Sequence, residues 1–389
     1  MQLSHRITHI AGEEGDGWEI YFKTQELKAA GIAVTDLTIG EHDTRTDPDI
    51  VTAMSHAAQQ GATGYAAIPG IPELRAAIAD RVAARTGVAT TAENVLIFPG
   101  GQAALFAAHM AVLDPGDRAA FIDPYYATYP GTIRAAGGVP VPIQTGPRDA
   151  FRPTAQALAG AAGARSLLVN SPNNPTGAVY DRATLETIRQ AVLAQDIWLI
   201  SDEVYDTQIW EGAHLSPRAL PDMAERTLVI GSFSKSHAMT GSRVGWMIGP
   251  SKAMSALMQL PLHTTFGIPG YIQKAALHAL GKGDRFEAQI AAPFARRRQL
   301  AQDVFAGHSH VRMVPSQGAM YFLLDIRDTG LSGRDFAFAL LKARNIAVMP
   351  GESFGAAAAG HLRIAMTIDD DRFVDALHQI ADFIREVTP

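Results

Sequence analysis

Seven short apolar, β-branched runs, set apart by longer amphipathic stretches, constrain this chain more than any other feature. They are Val95–Pro99, Ala119–Asp123, Val139–Ile143, Ser166–Asn170, Ile197–Ser201, Thr227–Gly231 and Val244–Gly249. A strand that is apolar along its whole length is buried on both faces, as helices on both sides of a mainly parallel sheet require. The intervening segments carry the helical period. In Glu73–Arg85, Leu74, Ile78 and Val82 recur at steps of four among Arg75, Asp80, Arg81 and Arg85. Strand alternating with helix predicts an α/β large domain over residues 46–285, its mostly parallel seven-stranded sheet covered by helices.

The pattern then changes. Residues 285–310 read as a charged helix, and its run Arg296-Arg297-Arg298 reads as a solvated face. Three short strands are expected at Met320–Ile326, Ile346–Pro350 and Leu362–Met366, followed by a helix near Asp371–Val387. In that helix Phe373, Leu377, Ile380 and Ile384 form one stripe. Residues 286–389 thus make a smaller α+β domain, with Gly355–Gly360 an alanine-rich candidate for a surface loop. Residues 1–45 fit neither pattern.

Charge and cysteine count exclude several functions. Lys+Arg 33 against Asp+Glu 39 leaves a net charge of -6, and no basic run offers the concentrated positive field that nucleic acid or an anionic membrane needs. With Cys 0 there are no disulfides, no thiolate metal sites and no thiol nucleophile. Glu13, Glu14 and Asp16 stand where a signal peptide would place its apolar core. No apolar run reaches the roughly 18–20 residues of a membrane span, so a soluble cytoplasmic protein is expected.

Chemistry-bearing residues gather at predicted strand ends, where open α/β sheets place ligands. After Thr227–Gly231 comes Ser232-Phe-Ser-Lys-Ser-His-Ala-Met-Thr-Gly-Ser-Arg243. Ser232, Ser234 and Arg243 can cradle a phosphate dianion, hydroxyls and guanidinium both supplying donors. Lys235 among them can attack a carbonyl if burial and neighbouring cations lower its pKa. A Ser/Lys-rich surface turn is the plainer alternative.

The run Ile197–Ser201 ends in Asp202-Glu203-Val204-Tyr205, and an acid at a strand tip can hold a pyridinium nitrogen protonated, or cap a following helix. Asn170-Ser-Pro-Asn-Asn-Pro-Thr-Gly177 is a turn in which Asn174 can serve as a rigid side-chain donor. Phe98-Pro-Gly-Gly-Gln-Ala103 is a strand, a glycine pair and a helix start, whose amides can bind phosphate. Asp123-Pro-Tyr-Tyr-Ala-Thr-Tyr129 offers rings for stacking or for packing. Arg363, in an otherwise apolar strand, needs either a substrate carboxylate or a buried acid.

Together these motifs resemble the class I/II aminotransferases, pyridoxal-phosphate enzymes of fold type I, in the family's order from about Leu37 to Arg363. The resemblance implies pyridoxal 5'-phosphate as cofactor, with Lys235 as its Schiff-base lysine and Ser232, Ser234 and Arg243 on its phosphate. It further implies Asp202 on the pyridine nitrogen, Tyr205 and Asn174 on the ring oxygen, and Tyr126 stacked on the ring. The main-chain amides of Gly101 and Gln102 would complete the phosphate turn. Gly40 and Arg363 match the substrate-carboxylate positions. Gly64-Tyr65 looks like the segment whose tyrosine reaches the neighbouring subunit's phosphate, implying a homodimer with shared sites and a small domain built from both chain ends.

Ser234–Gly241, Arg327–Ser332 and Gly351–Gly355 are similar to the arginine:pyruvate transaminases, although Ser242 stands where many relatives carry tryptophan. The implied reaction moves an amino group from an L-amino acid to a 2-oxo acid, with Lys235 transferring the proton. A pyridoxal-phosphate β-lyase would share these motifs. So would a non-enzymatic regulator, which would carry a DNA-binding domain before the motif region, where this chain has about 45 residues.

Overall fold

The computed structural model describes residues 1–12 and 17–389. Glu13, Glu14 and Asp16 lie outside the described residues. Among the described residues, twelve strands form two sheets. The larger joins β2 (Val95–Phe98), β3 (Arg118–Asp123), β4 (Val139–Gln144), β5 (Ser166–Asn170), β6 (Trp198–Asp202), β7 (Thr227–Ser232) and β8 (Gly245–Ile248), in the order β2-β8-β7-β6-β5-β3-β4. Only β8 runs against the others, pairing antiparallel with both β2 and β7. Each of the seven apolar runs coincides with one of these strands, within a residue or two at its ends.

Every residue of β5 and β7 is buried. Successive side chains feed opposite faces: Leu168 and Ile200 pack under the helix Gly101–Val112, while Leu167 and Leu199 pack under the helix Arg182–Gln195. β4 is an open edge, and its prolines alternate. Val139 donates its N–H to Asp117 on the sheet side, so Pro140 and Pro142 fall on the outer side, where no donor is presented to a stray strand.

The smaller sheet contains β1 (Thr35–Leu37), β9 (Arg312–Met313), β10 (Tyr321–Asp325), β11 (Ile346–Pro350) and β12 (His361–Ala365), in the order β1-β11-β12-β10-β9. Two of these five strands escaped the periodicity argument. β1 has three residues and β9 two, too few to show a period. β1 pairs parallel with β11, Leu37 opposite Val348, which joins residues near the start of the chain to the C-terminal strands. The predicted stripe Phe373, Leu377, Ile380 and Ile384 is buried on the helix Asp370–Val387.

The expected solvated face at 296–298 is corrected. Only Arg296 is exposed; Arg297 and Arg298 are buried. Arg297 pairs with Asp43 at 2.6 Å and Asp370 at 2.8 Å, and Arg298 pairs with Glu211. A charge run faces water unless acids distant in sequence meet it, and here they do. Residues 355–360 likewise do not form a free surface loop. Gly355 and Ala358 are buried, and the Ala357 N–H points to Asp123. No helix among the described residues is long and apolar enough to cross a membrane.

Candidate active site

Three parallel strands end side by side on polar residues: β5 at Asn170, β6 at Asp202 and β7 at Ser232. Their register sets Asn170 beside Asp202 and Asp202 beside Ile230. Above these tips lies a cavity of about 310 Å³. Every candidate residue from the sequence lines it except Tyr65.

At the floor, Asp202 is buried and no helix follows it, so it does not cap one. Its Oδ1 accepts the Val204 N–H at 3.3 Å, and its Oδ2 accepts the Tyr129 hydroxyl at 2.6 Å. Burial pushes the carboxyl up to about 6, opposed by those two hydrogen bonds. A cation brought to this carboxyl would hold it ionised. Lys235 follows β7 on a short helical turn, Phe233–Ser236, whose N-cap Ser232 accepts the Ser234 N–H at 3.1 Å. Its Nζ donates to the Gly40 carbonyl. Burial lowers its pKa, with Arg363 and Arg243 acting in the same sense and Tyr321 and Glu41 against. A depressed amine is a better nucleophile and proton acceptor near neutral pH.

At one end the helix Gly101–Val112 opens without a side-chain cap, leaving its first N–H groups for a ligand. Gly100, at φ 81°, admits the close approach, since a Cβ there would stand 2.5 Å from Arg243 Nη2. Arg243 Nη1 donates to the Thr240 carbonyl at 2.9 Å. Ser232, Ser234, Arg243 and the amides of Gly101 and Gln102 thus converge as a dianion cradle. The Gln102 side chain is committed elsewhere, to Thr132 at 2.8 Å and Thr128 at 3.1 Å, so only its amide faces the cradle.

At the other end Arg363 is fully buried between the rings of Tyr321 and Phe354, each centroid 4.4 Å from Cζ. Nη1 donates to Asn174 Oδ1 at 3.0 Å and Nη2 to the Thr38 carbonyl. Among the described residues no carboxylate meets it and Nε has no partner, so they offer no buried acid in the place of a substrate carboxylate. A buried unpaired guanidinium N–H is costly, and a substrate carboxylate would relieve it. Gly40 is small for a reason: a Cβ there would overlap the Tyr321 hydroxyl. The Tyr205 hydroxyl donates to that of Tyr321 at 3.2 Å, and burial raises its pKa well above the ordinary range.

Tyr126 lines the wall, edge-on to Tyr129 with ring centroids 5.8 Å apart. Tyr65 stands apart from the cavity, 91% exposed, its ring against Phe266. Sequence reasoning missed Trp18, Glu41, Tyr129 and Tyr321, all of which line the cavity. The residues present fit pyridoxal phosphate: an uncapped helix start with hydroxyls and a guanidinium, a buried acid, and a buried amine of lowered pKa.

A doubly covered, mostly parallel sheet with these groups at its strand ends defines a pyridoxal-phosphate enzyme of fold type I. The family description "Aminotransferase class I and II" matches residues 32–380, and the chain belongs to this family, whose members use pyridoxal 5'-phosphate. It is 38% identical over 384 residues to an arginine–pyruvate transaminase of Pseudomonas aeruginosa, covering 98% of both chains. An aspartate/prephenate aminotransferase of Thermus thermophilus is 36% identical over 365 residues, covering 92% of this chain and 93% of that one. The solved structure of a Thermus thermophilus aspartate aminotransferase with maleate is similar at a TM-score of 0.91 and 34% identity, covering 98% of this chain and 99% of that one.

Proposed function

We propose that this aminotransferase takes its amino group from a cationic L-amino acid of the arginine type and passes it to a 2-oxo acid such as pyruvate. The charge inventory of the cavity carries this reading. Its charged lining residues are Glu41, Asp202, Lys235, Arg243 and Arg363. In the proposed assignment Asp202, Lys235 and Arg243 serve the cofactor, and Arg363, with Gly40 beside it, serves the α-carboxylate. The remaining charge is Glu41, which accepts the Thr240 hydroxyl at 2.9 Å. A dicarboxylic donor would need a second cation, and the described lining offers none. The arginine–pyruvate relative, similar over almost its whole length, supports the same choice.

In this mechanism the cofactor supplies the electron sink that makes the donor's α-proton removable. The chain supplies the rest. Arg363 grips the α-carboxylate through charge-assisted hydrogen bonds and fixes the Cα–H direction. Lys235 Nζ takes the α-proton, its lowered pKa matching that task. Asp202 would hold a proton at the ring nitrogen, and Asn174 and Tyr205 would serve the ring oxygen. Tyr126 would flank the ring, while Ser232, Ser234, Arg243 and the amides of Gly101 and Gln102 would hold the phosphate.

The proposal includes a cytoplasmic homodimer in which exposed Tyr65 completes the partner's phosphate site. It also includes a small domain of residues 1–45 and 286–389 around a large one of residues 46–285, which the β1–β11 pairing supports. A donor panel with pyruvate as acceptor tests the specificity. Arginine is expected to exceed aspartate in kcat/KM by about tenfold, the scale of one hydrogen bond to a charged group. Aspartate equal to or better than arginine would reject the cationic-donor reading while leaving the family intact.

A further inference from the structure

We propose that Tyr129 is a positioning residue for Asp202, its hydroxyl fixing the carboxylate in the orientation that meets the cofactor's ring nitrogen. The inference rests on the reading of Asp202 given above. Tyr129 stands where β3 has ended and the short helix Tyr129–Ala135 begins, and its ring is buried in the apolar cluster of Leu105, Phe121 and Ile133. Phenylalanine would satisfy that cluster. A hydroxyl in it is costly unless paired, and its partner is Asp202 Oδ2, 2.6 Å away and buried.

The geometry gives this pair a task beyond packing. Rotation about the last side-chain bond would let a carboxylate offer either oxygen edge, but here each oxygen is tethered. Oδ1 takes the Val204 N–H and Oδ2 takes Tyr129. A carboxylate accepts about four hydrogen bonds, so lone pairs remain for a ring N–H on the cavity side. Burial and the Asp202 charge keep the Tyr129 hydroxyl protonated, so it acts as a donor throughout. Tyr126, edge-on at 86°, backs the ring from the wall that also faces the cavity. Asp123-Pro-Tyr-Tyr-Ala-Thr-Tyr129 therefore supplies two rings with different work: Tyr126 beside the cofactor and Tyr129 beneath its acid.

The test compares apoenzyme affinity for pyridoxal phosphate with that for its 1-deaza analogue, in which carbon replaces the ring nitrogen, by fluorescence titration. Tyr129→Phe is expected to weaken pyridoxal phosphate binding about tenfold, as loss of a charge-assisted hydrogen bond implies, and to leave analogue binding within about twofold. Equal weakening of both ligands would mark a merely structural tyrosine, and no weakening of either would mark an idle one; both overturn the proposal. Asp202→Ala separates the two layers. If it weakens the natural cofactor selectively while Tyr129→Phe does not, the positioning role alone fails. If it does not distinguish the ligands, the assignment of Asp202 fails and takes the positioning role with it. Thermal melting confirms that the chains compared are folded.

Discussion

Replacing Lys235 with alanine is expected to lower transamination by about four orders of magnitude and leave a folded chain. The amine is enclosed at the end of β7, where burial, Arg363 and Arg243 all disfavour its charged form. No other lysine among the described residues lines the cavity, so nothing there replaces it as nucleophile or as carrier of the α-proton. Its loss also spares the fold, because a desolvated amine is not a stabilising contact and the Gly40 carbonyl it meets lines the same cavity, where water can take the donor's place. Lys235→Arg separates chemistry from charge. The guanidinium keeps the positive charge but stays protonated and is a poor nucleophile, so its turnover should fall nearly as far. Steady-state rates with a saturating donor and acceptor provide the check, and a Lys235→Ala enzyme within tenfold of the parent would refute the role.

Asp202→Ala is expected to bind the cofactor more weakly yet still retain it at saturating concentration, and to lose turnover by roughly a hundredfold to a thousandfold, the scale seen when one preorganised electrostatic partner is removed from developing charge. The carboxyl sits buried at the tip of β6, pushed up to about 6 by desolvation and restrained by two hydrogen bonds. In that setting a cationic ring N–H is the partner that makes an ionised form favourable. Without the acid, the ring nitrogen loses its proton more easily and draws electrons less strongly. The phosphate cradle at Ser232, Ser234 and Arg243 is a separate part of the cavity and should hold the cofactor still. The readouts are cofactor content and kcat, measured side by side at saturating cofactor. Near-normal kcat with retained cofactor would contradict the role of Asp202.

Much of this was legible in the chain. The β5, β6 and β7 runs are apolar on both faces because helices cover both, so their strand ends, and the polar residues just past them, could be located. The site followed from Asn170–Asn174, Asp202–Tyr205 and Ser232–Arg243, each local in sequence. What escaped was non-local or too short. β1, with three residues, carries no period, and it is β11 that makes it a strand. Arg297 reads as a surface charge until Asp43, distant in sequence, reaches it. Tyr321 lies in β10 among Phe322, Leu323 and Leu324 and reads as core; only its approach to Gly40 and Arg363 shows its place in the site. Local sequence cannot rank Tyr126 against Tyr129, because the strand order decides that Tyr129 reaches Asp202.

Amino-group transfer between two substrates on one chain is tested most directly by a single half-reaction. Purified enzyme carrying its cofactor is mixed with excess arginine and no acceptor, and the 2-oxo acid and ammonia are measured over time. Transfer predicts about one equivalent of 2-oxo acid per active site, no ammonia, and then arrest until pyruvate is added, whereupon alanine forms in step with further 2-oxo acid. No 2-oxo acid from arginine, together with continuous release of ammonia and pyruvate from a donor that carries a leaving group at Cβ, such as β-chloroalanine, would contradict it and would mark an eliminating enzyme built from the same residues.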